Sequence, residues 1–161
     1  MPQCALSLGT NLGDGSKNLE NALSSVSRLP KTELLRTSCV YKTPAWGVTD
    51  QPDFLNCCAL IETMLSPSAV LGCCLGIEAA MGRKRLRKWG ERIIDIDLLC
   101  YEGCALQTEE LWLPHKYMLS RAFVLLPLMD IFPDGECMGI DIKSPLKTMD
   151  ISGIEQVRSV F

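Results

Sequence analysis

The chain has 161 residues, of which 47% are hydrophobic and 22% charged, a composition typical of a folded globular protein and not of a disordered one. Its formal net charge of −3 excludes a surface that attracts nucleic acid as a whole, so any basic feature must be local. No apolar run approaches the roughly 20 residues that span a bilayer, and we expect a soluble protein.

Nine cysteines are spread along the chain, most of them inside apolar runs such as FLNCCALI and LGCCLGIEA. An odd number is a poor disulfide framework, and the sequence has neither a CxxC pair nor enough histidine for a mixed Cys–His zinc site. We therefore expect buried free thiols in a reducing cytoplasm. No repeat or linker divides the sequence, which predicts a single domain over residues 1–161.

The residue pattern alternates between strand and helix signals. The predicted elements, in chain order, are a strand at 3–8, a helix from Leu19 to Leu29, strands at 33–41 and 54–63, a helix from Pro67 to Met81, a strand at 93–101 and a short helix around Pro127. Pro30 ends the first helix, and Ser66 is the N-cap of the second.

The order of these elements, βαββαβ, is typical of an α+β ferredoxin-like fold. It predicts an antiparallel sheet with two helices on one face and additional helix or hairpin elements toward the C-terminus. The second face of such a sheet is uncovered, and polar side chains on its strands can serve a ligand there. The fold by itself specifies no chemistry.

Two aspartates interrupt the last core strand, IIDIDLLCY. Asp95 and Asp97 are two positions apart, so in a strand both side chains project from the same face. Buried carboxylates are costly unless something compensates their charge. A hard cation such as Mg²⁺ would do so, since it takes one or two protein carboxylates and completes its shell with water and phosphate oxygens. An open sheet face that merely carries acids is the alternative.

A basic segment directly precedes this strand. Six of the sixteen basic residues lie within ten positions, namely Arg83, Lys84, Arg85, Arg87, Lys88 and Arg92. Such a run can be a solvated charged loop, but acids that bind metal beside several cations are suited to a nucleoside triphosphate. The sequence has no GxxxxGK[ST] motif, which excludes a P-loop protein.

Four motifs occur together, in order, over most of the chain. They are LGTNLGD (8–14), YKTPAWG (41–47) with DQPDFLN (50–56), KWGERIIDIDLL (88–99) and LPHKYMLSRAFVLLPL (113–128). With these motifs the sequence resembles 6-hydroxymethyl-7,8-dihydropterin pyrophosphokinase, an enzyme family of folate biosynthesis. The resemblance implies transfer of the β,γ-pyrophosphoryl group of ATP to the hydroxymethyl group of the pterin, with release of AMP.

The resemblance also implies roles for individual residues. Two Mg²⁺ ions would be held by Asp95 and Asp97, with Arg83 and Arg92 as further catalytic residues. The implied pterin-binding residues are Thr43, Pro44, Trp46, Phe54, Asn56 and Phe123. The implied ATP-binding residues are Glu78, Arg85, Lys88, Trp89, His115 and Arg121. The chain departs from the family pattern at Lys88, Glu91, Trp112 and Lys116.

Several of these residues have a plain structural alternative. Asn56 could be a satisfied core amide, Phe54 and Phe123 core aromatics, His115 a turn or core residue and Glu78 an exposed helix acid. The expected partners are the two small-molecule substrates and neighbouring folate enzymes, not nucleic acid or a membrane.

Two other functions fit parts of the sequence. A single-stranded RNA-binding module could share the fold, but CALSL and IIDIDLL lack the stacking aromatics that such modules need. A catalytically silent domain that binds Mg-ATP is the second alternative.

Overall fold

The computed structural model describes residues 1–45, 50–83 and 91–158. Its strands are β1 (Gln3–Thr10), β2 (Thr32–Thr37), β3 (Val40–Thr43), β4 (Phe54–Thr63), β5 (Asp95–Tyr101), β6 (Leu106–Gln107), β7 (Trp112–Leu113), β8 (Glu136–Cys137), β9 (Ile140–Asp141) and β10 (Glu155–Arg158). Its helices are α1 (Gly15–Ser27), α2 (Pro67–Ala80), α3 (Ala122–Ile131) and α4 (Lys143–Lys147), and a single 3₁₀ turn covers Met118–Ser120. None of the helices in this described part is long and apolar enough to cross a membrane.

The main sheet is antiparallel, with the strand order β10-β3-β4-β1-β5, and β2 also pairs with β4. Strand β1, strands β2 and β3 together, β4 and β5, with helices α1 and α2, follow the predicted βαββαβ order, so the ferredoxin-like α+β fold is confirmed. The C-terminal additions are a β8–β9 hairpin, α4 and β10. The pairing of β10 with β3 extends the main sheet by one strand that the sequence analysis did not foresee.

The start of each core helix has a local chemical cause. The Asp14 side chain accepts a hydrogen bond from the Lys17 N–H at 3.2 Å and caps α1. Ser66 caps α2 in the same way, as predicted, through the Ala69 N–H at 3.2 Å. Both helices pack on one face of the sheet through their buried apolar side chains.

The strand predicted over residues 33–41 is broken into β2 and β3. Ser38 lies at the break, where its N–H donates to the Cys58 carbonyl at 2.9 Å and its Oγ accepts from the Cys58 N–H at 2.8 Å. The following N–H, of Cys39, donates to the Asp130 carboxylate at 3.0 Å. The polar groups at the break are therefore bonded to β4 and α3, a long-range arrangement that local periodicity does not report.

The second face of the sheet is covered over part of its area, not uncovered as the fold pattern predicts. Helix α3 packs there, and its apolar side chains form a second core with residues of the strands. The strand residues in this second core are Ala5, Cys58, Leu60, Leu99 and Cys100. The face is open only over the rest of its area, beyond the second core, and its use by a ligand stays a prediction.

All nine cysteines are free thiols, and six of them are buried. Burial raises the pKa of Cys57 and Cys74 to about 12. The thiols of these two residues therefore stay protonated. The expectation of buried free thiols is confirmed for these six.

Candidate active site

The floor of the candidate site is the part of the second sheet face that α3 leaves open. Asp95 lies opposite Gly9 on β1, and Gly9 lies opposite Asn56 on β4. One row further along, Asp97 lies opposite Ser7. Ile96, between the two aspartates, and Leu98, after them, are buried against α1 and α2 on the other face. The alternation of β5 therefore directs both carboxylates to the same side, as predicted.

A cavity of about 700 Å³ lies above this floor. Ten of the residues predicted for the site line it, namely Thr43, Pro44, Phe54, Asn56, Arg92, Asp95, Asp97, His115, Arg121 and Phe123. These residues come from four separate parts of the chain, and the fold brings them into one concave site.

Asn56 lies at one end of the floor and is only 4% exposed. Its Nδ2 donates a hydrogen bond to Thr43 Oγ1 at 3.0 Å, so the amide is oriented by a neighbour on β3. Gly9 makes room for it, because a Cβ at position 9 would lie 2.9 Å from Asn56 Oδ1. Asn56 is thus bonded within the protein, as a core amide would be, and still lines the cavity.

The charge of Asp95 is compensated by two arginines. Its Oδ2 accepts a hydrogen bond from Arg92 Nη1 at 3.0 Å, and its Oδ1 lies 3.1 Å from Arg83 Nη1. The same Arg83 nitrogen donates to Glu78 Oε1 at 2.7 Å. Arg83 and Arg92, the two arginines predicted to be catalytic, therefore both contact Asp95 and form part of a charged network.

Asp97 has an altered acidity. Burial, and next the negative charge of Asp95, raise its pKa to about 7, while Arg121 and Arg92 act in the opposite direction. His115 shifts the other way, because burial and then the Arg121 charge lower its pKa. A carboxyl group with a pKa this high marks a site where a second carboxylate is close and little water screens the pair.

The residues present fit a magnesium site that is completed by a ligand. Asp95 and Asp97 offer hard oxygen donors on one face, and both line the cavity. Within the described residues, no group of three or more histidine, cysteine, aspartate or glutamate side chains could hold a metal by itself. A cation bound here would take its remaining ligands from water and from an anionic substrate.

One wall of the cavity alternates aromatic rings with cations. Arg121 Cζ lies 4.8 Å from the Tyr117 ring centroid and 5.7 Å from that of Phe123. Lys116 Nζ lies 5.3 Å from the centroids of both Trp112 and Tyr117. Trp112 and Lys116, two of the departures from the family pattern, therefore belong to the cavity wall, where the cations are held by ring faces.

Other predicted residues lie elsewhere. Trp46, Arg85, Lys88 and Trp89 fall outside the described residues. Glu78 does not line the cavity and is 4% exposed, so it is not the exposed helix acid of the alternative interpretation. Its assignment to ATP stays a prediction.

Asn11 is a site residue that the sequence analysis missed. Its Oδ1 accepts from the Arg92 N–H at 2.8 Å, while its Nδ2 donates to Gln51 Oε1 at 2.8 Å and to the Pro52 carbonyl at 3.0 Å. It therefore ties the segment before β4 to the segment before β5. The available signal was a polar residue directly after a buried strand, inside LGTNLGD.

Comparison with known proteins gives a consistent result. Residues 5–133 match the family described as 7,8-dihydro-6-hydroxymethylpterin-pyrophosphokinase (HPPK). The chain is 45% identical over 157 residues to the 2-amino-4-hydroxy-6-hydroxymethyldihydropteridine pyrophosphokinase of Methylorubrum extorquens, covering 98% of this chain and 99% of that protein. It is 44% identical to the Haemophilus influenzae protein of the same name, over 80% of this chain and 81% of the other.

Solved structures share the fold. The Plasmodium falciparum HPPK-DHPS crystallised with pteroate superposes with a TM-score of 0.71 at 16% identity, over 91% of this chain and 42% of the other. A second crystal structure of that protein, with SDX-DHP, gives 0.70 at 15% identity, over 100% of this chain and 49% of the other. This chain thus spans about half the length of those proteins. On the sequence matches, the chain belongs to the 7,8-dihydro-6-hydroxymethylpterin-pyrophosphokinase family.

Proposed function

We propose that this chain transfers pyrophosphate from ATP to the hydroxymethyl group of 6-hydroxymethyl-7,8-dihydropterin, a step of folate biosynthesis that releases AMP. One structural observation supports the proposal in addition to family membership. A single cavity joins an oriented amide and two aromatic rings at one end to paired carboxylates and several cations at the other. A flat heterocycle and a polyphosphate need these two environments side by side.

The pterin end is formed by Asn56, Phe54 and Phe123, together with Thr43 and Pro44. A carboxamide offers both a donor and an acceptor to the edge of a pterin, and aromatic rings stack on its faces. Because Asn56 is already oriented by Thr43, little ordering is needed on binding.

The ATP end is formed by Arg92, Arg121 and His115, beside Asp95 and Asp97. The two guanidinium groups would contact phosphate oxygens, and Mg²⁺ held by Asp95 and Asp97 would neutralise phosphate charge and orient the chain of phosphates. We propose two ions, since two carboxylates and a triphosphate supply enough oxygen ligands. Arg85, Lys88 and Trp89 are proposed to complete this end.

The chemistry is proposed to rest on positioning. The hydroxymethyl oxygen of the pterin attacks the β-phosphorus of ATP, the bond from that phosphorus to the α-phosphate oxygen breaks, and AMP leaves while the hydroxyl proton is released. Phosphoryl-group transfers need little covalent chemistry from the protein. The arginines that neutralise the phosphates supply the electrostatic part of that task.

Further proposals concern the setting. A single domain over residues 1–161 is supported by the main sheet, which includes strands from both ends of the chain. A reducing compartment, and so the cytoplasm, is supported by the nine free thiols. We also propose that the chain acts together with other folate enzymes. The HPPK-DHPS proteins support this. So does the folic acid synthesis protein fol1 of Schizosaccharomyces pombe, which has a segment 40% identical to this chain that makes up 18% of its length.

The test is product analysis after mixing the purified chain with Mg-ATP and 6-hydroxymethyl-7,8-dihydropterin. We expect AMP and pterin diphosphate in equal amounts, lost in Asp95→Ala and retained in the matched control Asp134→Ala, which removes an exposed acid outside the cavity lining. ADP as product would show that the wrong group is assigned to the transfer. Bound Mg-ATP without turnover would favour the silent binding domain.

A further inference from the structure

Glu78 is the acidic residue of α2, and both of its carboxylate oxygens are engaged. It lies in the last turn of the helix and is 4% exposed. Its Oε2 accepts a hydrogen bond from the Ile96 N–H at 2.7 Å, and its Oε1 accepts from Arg83 Nη1 at 2.7 Å. A buried carboxylate with two such bonds is satisfied within the protein.

The bond to Ile96 acts on the site floor. Ile96 is the residue between Asp95 and Asp97, and β5 is the terminal strand of the main sheet on this side. The Glu78 carboxylate thus holds the backbone at the one position that both aspartates flank. A shift of that peptide would move both carboxylates relative to Ser7 and Gly9, which lie opposite them on β1.

The bond between Glu78 and Arg83 affects the electrostatic environment of Asp95 on the site floor. The same nitrogen, Nη1, lies 2.7 Å from Glu78 Oε1 and 3.1 Å from Asp95 Oδ1. Two carboxylates therefore share one guanidinium nitrogen, and the shorter contact is to Glu78. Without the Glu78 charge, Arg83 would pair with Asp95 alone and would oppose a second cation there.

We propose that Glu78 is a positioning residue for the metal-binding aspartates: it anchors the Ile96 peptide and competes with Asp95 for Arg83. The inference rests on the proposed function, because it assigns Asp95 and Asp97 to Mg²⁺. It differs from a direct contact between Glu78 and ATP, since both carboxylate oxygens face protein donors. Residues that orient metal ligands commonly change metal affinity by about 10- to 100-fold when mutated.

The two bonds can be separated by substitution. Glu78→Gln is isosteric and keeps an oxygen for the Ile96 N–H, but it removes the charge that attracts Arg83. Glu78→Leu removes both. Arg83→Gln removes the competing cation, and the exposed Glu33→Gln on β2 is the matched acid-to-amide control.

The experiment measures Mn²⁺ binding by electron paramagnetic resonance, in the presence of a non-hydrolysable ATP analogue, with the thermal midpoint of each variant recorded. Glu78→Gln is expected to weaken Mn²⁺ binding about tenfold, while Arg83→Gln binds at least as tightly as the unmodified chain. In the double variant Glu78→Gln/Arg83→Gln, affinity is expected to return to within about twofold of Arg83→Gln, because the competing cation has gone. Glu78→Leu stays weak even with Arg83→Gln, since the peptide anchor is lost.

Unchanged Mn²⁺ affinity in a folded Glu78→Gln would overturn the proposal. So would weaker binding of the nucleotide analogue by Glu78→Gln in the absence of metal, with normal Mn²⁺ affinity, which would make Glu78 a nucleotide contact. The readout needs no turnover. A chain that makes no pterin diphosphate but shows the expected Mn²⁺ pattern would disprove the proposed reaction and leave the role of Glu78 standing.

Discussion

The second face of the main sheet is divided between two regions with opposite character. Toward one end of the strands it presents Asp95, Asp97, Ser7, Gly9 and Asn56 to a cavity. Toward the other end the same three strands present apolar side chains that α3 covers, namely Ala5, Cys58, Leu60, Leu99 and Cys100. The two regions meet in the row of Cys58, Ser7 and Asp97, so the difference comes from which residue type occupies each position.

The comparison shows how stability and function share one surface. The covered region removes apolar area from water, which stabilises the fold by roughly 25 cal/mol per Å². The open region does the reverse, because it buries the Asp97 carboxyl group and places it close to Asp95, and both effects raise the pKa of Asp97. Mutations in the two regions should therefore separate activity from stability.

Asp97→Asn is expected to have the largest effect. Turnover should fall on the order of 10³-fold, because the variant loses one of the two proposed protein ligands of the metal and the charge stabilisation that they support. The free energy of unfolding should rise, since an amide avoids the cost of burying a charge and the repulsion with Asp95. Steady-state kinetics and urea unfolding measure the two quantities, and a parallel loss of both would contradict the division between the regions.

Leu128→Ala tests the covered region. Leu128 is fully buried in the α3 core, and its truncation should lower the free energy of unfolding by about 3 kcal/mol. Turnover per folded molecule should stay within about twofold, because the cavity lining is untouched. Leu75→Ala is the control, since Leu75 is 54% exposed and its loss should cost less than about 0.5 kcal/mol. A large loss of turnover in Leu128→Ala would show that the regions are coupled.

The sequence was sufficient for the core topology and for the pairing of the two aspartates, because both depend on local periodicity. Strand β4 was predicted with its observed bounds, 54–63. The break between β2 and β3 was missed, since it depends on bonds from Ser38 and Cys39 to β4 and α3. The covering of the second face by α3 was missed for the same reason: a short helix rich in apolar residues does not show which surface it packs on.

In the candidate site, too, local spacing predicted some features, and contacts between distant residues determine the others. Residues of one strand, such as Asp95 and Asp97, could be placed on one face from their spacing alone. The contacts of Asn11 with Arg92 join positions 81 residues apart, and no local pattern reports them. The shared Arg83 nitrogen is likewise a product of how α2 docks against β5.

Gly9→Ala sharpens the comparison within the open region. The added Cβ would meet Asn56 Oδ1 at 2.9 Å, so the amide should be displaced and the KM for the pterin should rise about tenfold, equivalent to about 1.4 kcal/mol. The KM for ATP should change little. Gly76→Ala on α2 is the control, because nothing lies within 4 Å of its added Cβ. Equal changes in the two KM values would argue against Asn56 as a pterin contact.

The smallest expected effect is a pH dependence of stability that belongs to the open region alone. The pKa of Asp97 is about 7 in the folded chain against an ordinary value of 3.8. The folded state therefore binds the proton first, and the free energy of unfolding should rise as the pH falls from 8 to 5. His115 opposes this trend, since a lowered pKa makes its protonation unfavourable to folding.

The difference in the free energy of unfolding between the unmodified chain and Asp97→Asn reports the Asp97 carboxyl group alone, because His115 is present in both. Urea unfolding with a chelator present measures this difference in the free energy of unfolding. It should become smaller by about 1 kcal/mol between pH 8 and pH 5, after allowance for the partial exposure of Asp97. The same subtraction with Leu128→Ala should give a constant, since that variant changes no titratable group. A constant difference for Asp97→Asn as well would mean that neither burial nor the Asp95 charge raises the pKa of Asp97, and that the open region carries no electrostatic cost.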